Sequence, residues 1–247
     1  MKLRLRDLNN IAREKPDYSI IMKEILGFKN RKIGRRFVFG RMFRMAFHLV
    51  KRGQELDLTK CEVNPESKIK VPNNIDSISF KAMMELQSVM ATPNSEDVVS
   101  VIAEIITIVT YSVNTGKSYR IDNILHQDFR EKVLNQPLED MMGLYNWIIK
   151  SAAESKAMWE ERFFSVQVID EEYEEAGGDR MSQFNVINTI KSLCRDFNCT
   201  ESEAWQKSYG LSQTNSYAIA TSRHIEDNMR QAKELKMKRE RQKSGQV

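Results

Sequence analysis

The chain of 247 residues is poor in glycine, with ten, and in proline, with five. It contains no phosphate-loop signature, no dinucleotide fingerprint and no Gly-x-Ser-x-Gly nucleophile elbow, motifs whose backbone turns need glycine at fixed places. Histidine is equally scarce: His48, His126 and His224 stand singly, far from one another. The three cysteines, Cys61, Cys194 and Cys199, form no ligand cluster with them, whereas a structural zinc site gathers four soft or imidazole ligands. An odd number of cysteines also makes a poor disulfide framework and fits a reducing cytosol, with Cys194 as a small core residue.

Long apolar runs are missing as well. The start, MKLRLRDLNN, is charged and has no apolar stretch behind it, so it is not a secretory signal. The strongest run, Val98 to Val109, is broken by Glu104 and is about half of what a membrane span needs, so it predicts a buried core helix. Acid pairs such as Glu160-Glu161 and Glu171-Glu172 are sequence neighbours and do not face each other on a helix. Glu171 and Glu175 share a face, but in a wet acidic run that has no means of raising a carboxyl pKa. His224, beside Ile225, suits an interhelix hydrogen bond better than a general base. No catalytic, cofactor-binding or metal-binding residue is assigned, no cofactor is expected, and the chain is expected not to be an enzyme.

What the chain does have is helical periodicity. It predicts a mainly α, multi-helix bundle-like protein with a few short extended segments near the N-terminal half. Lys2 to Arg6, Leu56 to Cys61 and Ser67 to Val71 are the extended candidates, the last stopped at Pro72. A helix begins near Ser77 or Ser79 and carries Phe80, Met83, Met84, Leu86, Val89 and Met90. Thr92-Pro93 opens the next helix, and Asn114-Thr115-Gly116 turns the chain. A further helix is expected within Tyr119 to Asn135. Pro137 starts a long one through Leu138, Met141, Tyr145, Ile148 and Ala152, continuing past Met158, Trp159 and Phe163.

The last third has the clearest grammar. Phe184, Ile187, Ile190, Cys194 and Phe197 recur on one helical face, Asn198-Cys199 breaks it, and Thr200 with Glu203 forms a capping box. Trp205 and Tyr209 follow on one face of a short helix that Gly210 closes in a left-handed cap. A longer helix, about Thr214 to Arg241, carries Tyr217, Ile219, Ile225, Met229 and Ala232 before a charged, frayed end. Four regions result: a basic aromatic N-terminal helical region at 1–60, a central helical domain at 61–176, a C-terminal helical unit at 177–235 and a charged flexible tail at 236–247. Gly177-Gly178 marks the hinge. There is no internal repeat and no sustained heptad.

Charge is uneven although the net is only +4. Met1 to Lys60 holds 16 basic against 6 acidic residues, and Glu139 to Asp179 holds 11 acidic against 3 basic. Such segments attract each other within one molecule or between copies. In residues 28–52 arginines, among them Arg35, Arg36 and Arg41, interleave with phenylalanines. Nucleic-acid binding, an anionic membrane surface and a Phe face packed in the domain or on a partner compete for this stretch. The packed face fits best, because the phenylalanines keep helical period. The run from Asp170 to Glu175, with Glu171 and Glu172, reads as a solvated face that seeks a basic partner.

IKVPNNIDSISFKAMMELQ, then GGDRMSQFNVINTIKSLCRDFN, then TESEAWQKSYGLSQTNSYAIATSRHIEDNMR together resemble the baseplate hub assembly proteins of T4-like contractile-tailed bacteriophages. The resemblance spans Lys68 to Arg230 and is one of pattern, with no catalytic motif. It implies an assembly catalyst or chaperone, or its smaller hub companion, acting in the cytoplasm of the infected host on hub, baseplate or tape-measure proteins, and absent from the mature virion. The alternatives are a structural component of the virion hub and a nucleic-acid-binding protein using 28–52. Candidate contact residues are Arg35, Arg36, Arg41, Met83, Met84, Trp159, Glu171, Glu172, Trp205, Tyr209 and Tyr217. Self-association into a homo-oligomer is a further expectation.

Overall fold

The computed structural model describes residues 4–8, 51, 57–91, 97–119, 124–166 and 184–243. Arg35, Arg36, Arg41, Glu171, Glu172, the helix opening at Thr92-Pro93 and the Gly177-Gly178 break lie outside the described residues, as does all of 28–52 apart from Lys51. The described residues form seven α-helices and no sheet: α1 Phe80–Ala91, α2 Val98–Thr115, α3 Ile124–Leu134, α4 Leu138–Phe164, α5 Asn185–Asp196, α6 Glu201–Gln206 and α7 Tyr209–Lys243. Short 3₁₀ turns occupy Leu5–Asp7, Leu58–Lys60 and Ile75–Ser77. The chain divides into two compact units, Met1–Ala152 and Ala153–Val247. That division falls inside α4.

In the first unit α2 is central, with α1 and α3 packed on it. Asp97 starts the helix by accepting the Val99 amide at 3.1 Å, and Gly116, at φ +67, ends it in the left-handed conformation. The helix thus runs on to Thr115, and the expected turn shrinks to its cap. α2 has the length and apolarity of a membrane span, and its side chains from Ile105 to Tyr111 are all buried. Buried Thr107 and Thr110 donate to the Ala103 and Ile106 carbonyls, each at 2.7 Å, which satisfies two hydroxyls in an otherwise apolar helix.

Among the described residues the extended segments of the sequence reading do not become strands. Arg4 forms a bridge to Pro137 just before the Leu5–Asp7 turn. Leu58–Lys60 is a 3₁₀ turn, capped by the Asp57 carboxylate. Around Ile69 the backbone pairs with a side chain instead of a strand: Lys70 N donates to Asn114 Oδ1 at 2.9 Å, and Asn114 Nδ2 donates to the Lys70 carbonyl at 2.8 Å. One amide does locally what a partner strand would do.

The loop before Pro65 is seated on one face of α4. Asn146 Nδ2 donates to the carbonyls of Leu58 at 2.9 Å, Cys61 at 3.1 Å and Thr59 at 3.3 Å. Asn64 Nδ2 donates to Asp140 Oδ1 at 3.0 Å. Between them Gly143 lets the backbones touch, since a Cβ there would overlap the Glu62 carbonyl oxygen and stand 2.5 Å from its carbon.

The second unit consists of the end of α4 with α5, α6 and α7. Its buried side chains are Ser155, Trp159, Ile190, Leu193, Ala204, Tyr209 and Ser212. The buried face of α5 centres on Ile190 and Leu193, while Phe184, Ile187 and Phe197 stay 42%, 50% and 39% exposed. The expected face is therefore turned toward Leu193, because α5 packs against α6 and α7 together. Asn198 breaks the helix at φ +45, a conformation that asparagine tolerates. The capping box forms as the spacing predicts: Glu203 N donates to Thr200 Oγ1 at 3.3 Å and Thr200 N to Glu203 Oε2 at 2.8 Å.

One reading of this region is corrected. α6 ends at Gln206, with Lys207 extended, and Gly210 lies in the first turn of α7, so Trp205 and Tyr209 belong to different helices. Ser208 starts α7 by accepting the Leu211 amide at 3.3 Å. At the other end the helix, expected to about Arg241, runs to Lys243. Lys, Arg, Glu and Met are good helix formers, which is why the charge run extends α7.

Candidate binding groove and half-buried ion-pair cluster

Between α5 and α7 the second unit has a groove of about 980 Å³. Asn185, Asn188, Thr189, Lys191, Ser192 and Arg195 line it from α5, and Gln213, Ser216, Ile219, Ala220 and Arg223 from α7, with Phe163 of α4. The described lining holds three cations and no carboxylate. Its apolar part is Phe163, Ile219 and Ala220, and the Phe163 ring is set edge-on to Tyr217 at 5.9 Å.

One wall is fixed by Asp196. Its carboxylate accepts from Arg195 Nε at 2.8 Å, Ser192 Oγ at 2.9 Å and Asn215 Nδ2 at 3.0 Å. The Arg195 guanidinium, then Asn215 and Ser192, hold its pKa down to about 2. The Asn215 bond crosses from α7 to α5 and ties the two walls together. Chemically, the site offers amides, hydroxyls and cations around an apolar strip. That set suits a peptide segment, whose backbone needs donors and acceptors and whose side chains need an apolar anchor and counter-charges.

The first unit contains a polar cluster at the edge of its core, with His126 buried and Glu104 and Arg130 half-buried. Glu104, the charge that interrupts the apolar run, accepts from His126 Nε2 at 3.0 Å, and Arg130 Nε lies 3.2 Å from its other oxygen. Arg130 also donates to Ser100 Oγ. Tyr111, Tyr119, His126 and Phe129 surround the cluster, with ring centroids 5.3 to 6.3 Å apart. The Tyr119 phenol is buried and its pKa is raised, by burial first and then by Glu104 and Glu85. His126 is engaged by Glu104 and Ser100 by Arg130, a cation that cannot take a proton, so these residues do not make a serine–histidine relay. The cluster neutralises a half-buried charge on an otherwise mostly apolar helix. A lone carboxylate in an apolar run was its signal in the sequence.

The contact candidates named from the sequence fall in different surroundings. Met83, Trp159 and Tyr209 are buried in their units, and Met84, Trp205 and Tyr217 are half-buried. Trp159 lies under the Arg162 guanidinium, 4.8 Å from the ring centroid. The groove residues Lys191, Arg195 and Arg223 were passed over because polar positions on an amphipathic helix look alike until its neighbour is placed. Cys61, Cys194 and Cys199 are free and half-buried, and burial raises the thiol pKa of Cys61 and Cys194. Among the described residues no group of three His, Cys, Asp or Glu could hold a metal ion. The chain matches no protein-family model, no curated protein and no solved structure.

Proposed function

We propose that this chain is a non-enzymatic assembly factor for the central hub or tail-initiation complex of a contractile-tailed phage, and that it works by gripping a segment of a structural protein. The observation that carries the binding role is the α5–α7 groove, where Lys191 and Arg223, with Arg195 paired to Asp196, are set around an apolar lining. The phage setting rests on the sequence resemblance over Lys68 to Arg230. An acidic or amide-rich stretch of a hub, baseplate or tape-measure protein has the complementary chemistry. The test is affinity capture from infected cells, comparing the wild-type chain with Lys191→Glu/Arg223→Glu. Recovery of hub or tape-measure proteins by the wild type and their loss with the folded double variant supports the proposal. Equal recovery by both removes the groove from it, and recovery of neither protein class by the wild type removes the assembly role.

A further inference from the structure

We propose that Cys194 and Cys199 form a redox-active dithiol, a modification site between α5 and α6 that a small-molecule disulfide converts reversibly to an intramolecular disulfide. The end of α5 places the two residues together. Asn198 takes the left-handed conformation, at φ +45, directly after the Phe197 cap. The chain folds back there, and Cys199 N donates to the Cys194 carbonyl at 3.1 Å. This is the six-residue closure of a Schellman turn, which commonly sets its first and last side chains in contact. The Cys194 and Cys199 thiols do interact, side chain to side chain.

A disulfide spans that separation. The 3.1 Å hydrogen bond, with the ordinary bonds leading back to each α-carbon, keeps the two α-carbons within about 7 Å. Beyond that distance a bridge needs backbone movement. Both thiols are free and half-buried. Cys199 Sγ also donates to the Leu193 carbonyl at 3.6 Å, a weak thiol bond that leaves the sulfur lone pairs unused.

The reaction is thiol–disulfide exchange, here with glutathione disulfide. The Cys199 thiol gives up its proton and its sulfur attacks one sulfur of the glutathione disulfide. The glutathione S–S bond breaks, and one glutathione leaves and takes up a proton. Cys194, deprotonated in turn, attacks the Cys199 sulfur and expels the second glutathione, which is protonated likewise. Two protein thiols thereby lose two electrons and two protons, and one glutathione disulfide becomes two thiols. Cys194 takes the second step because burial, then Cys199 and Glu201, raise its thiol pKa. A raised pKa disfavours the thiolate that opens an exchange. Arg195 and Asp196 lie inside the ring so closed; Arg195 lines the groove, and Asp196 accepts from Ser192 and Asn215. The modification therefore falls in the groove wall, yet it does not depend on what the groove binds.

The test equilibrates the full chain with mixtures of reduced and oxidised glutathione, followed by acid quenching, alkylation and mass spectrometry. Trypsin cuts after Lys191, Arg195 and Lys207, so the disulfide joins the peptides Ser192–Arg195 and Asp196–Lys207. The expected product is a monomer lighter by two hydrogens that yields this linked pair and returns to free thiols in excess reduced glutathione. Cys61, the one cysteine of the first unit, is the internal control and goes no further than a glutathione adduct. Cys194→Ser and Cys199→Ser each abolish the link and leave the remaining partner as a stable adduct, with helix content unchanged by circular dichroism. Separate adducts on Cys194 and Cys199 in the wild type, or no reaction at either while Cys61 reacts, would overturn the proposal. A link found only in a covalent dimer refutes the intramolecular pairing, and one that excess reduced glutathione does not open refutes its reversibility.

Discussion

Gly143→Ala separates the seating of the loop before Pro65 from ordinary helix propensity. On propensity alone the substitution stabilises an interior helix position by about 1 kcal/mol. Here the new Cβ would overlap the Glu62 carbonyl oxygen, stand 2.5 Å from its carbon and lie 3.1 Å from Val63 N, all backbone atoms that no rotamer change moves away. Forced overpacking of this kind costs roughly 1–3 kcal/mol. Retreat of the loop also breaks the Asn146 bonds to Leu58 and Cys61 and the Asn64–Asp140 bond. Each such bond contributes about 1 kcal/mol. After the propensity gain is subtracted, a net loss of about 3–5 kcal/mol is expected, or roughly 6–20 °C in the melting temperature of a unit this size. Thermal unfolding by circular dichroism measures it, with Gly116→Ala as the comparison. At Gly116 nothing lies within 4 Å of the added Cβ, and the positive φ alone costs about 1–2 kcal/mol. A Gly143→Ala protein as stable as the wild type would refute the contact between loop and helix.

Acid should act on the second unit through Asp196. Its folded pKa of about 2 lies below the ordinary 3.8, so its contribution is complete above about pH 4 and is lost as the pH falls through 2. In melts across that range Asp196→Asn should start less stable than the wild type, and the gap should close toward pH 2; a constant gap contradicts the assignment. Thr200→Ala should remove the hydroxyl half of the capping box and cost about 1 kcal/mol, with Thr200→Ser largely retaining it, both read by thermal denaturation.

Much of the helical layout was legible because local chemistry marks it. The Thr200–Glu203 box announces a helix start, and Asn114-Thr115-Gly116 the end of α2, in residue types that work through their own backbone. The apolar face of α4, with Leu138, Met141 and Ile148, follows from spacing. What escaped depends on the neighbours of a helix. The face of α5 rotated because α6 and α7 meet it together, which exposes Phe184 and buries Leu193. Ile69 to Val71 has strand-like residues, but Asn114 reached it first. Gly210 looked like a terminator and is an early residue of α7, since Ser208 caps that helix from outside. The groove could not be read at all, because Lys191 and Arg223 acquire a shared role only when α5 and α7 lie side by side.

The central claim is that the chain serves assembly by holding a structural protein of the tail hub. The most direct measurement is mass spectrometry of proteins captured with the chain from infected cells, run beside purified virions. Hub or tape-measure proteins in the capture, with the chain absent from virions, is the result the account predicts. Stoichiometric presence of the chain in the virion would contradict it and make the protein a structural part of the particle.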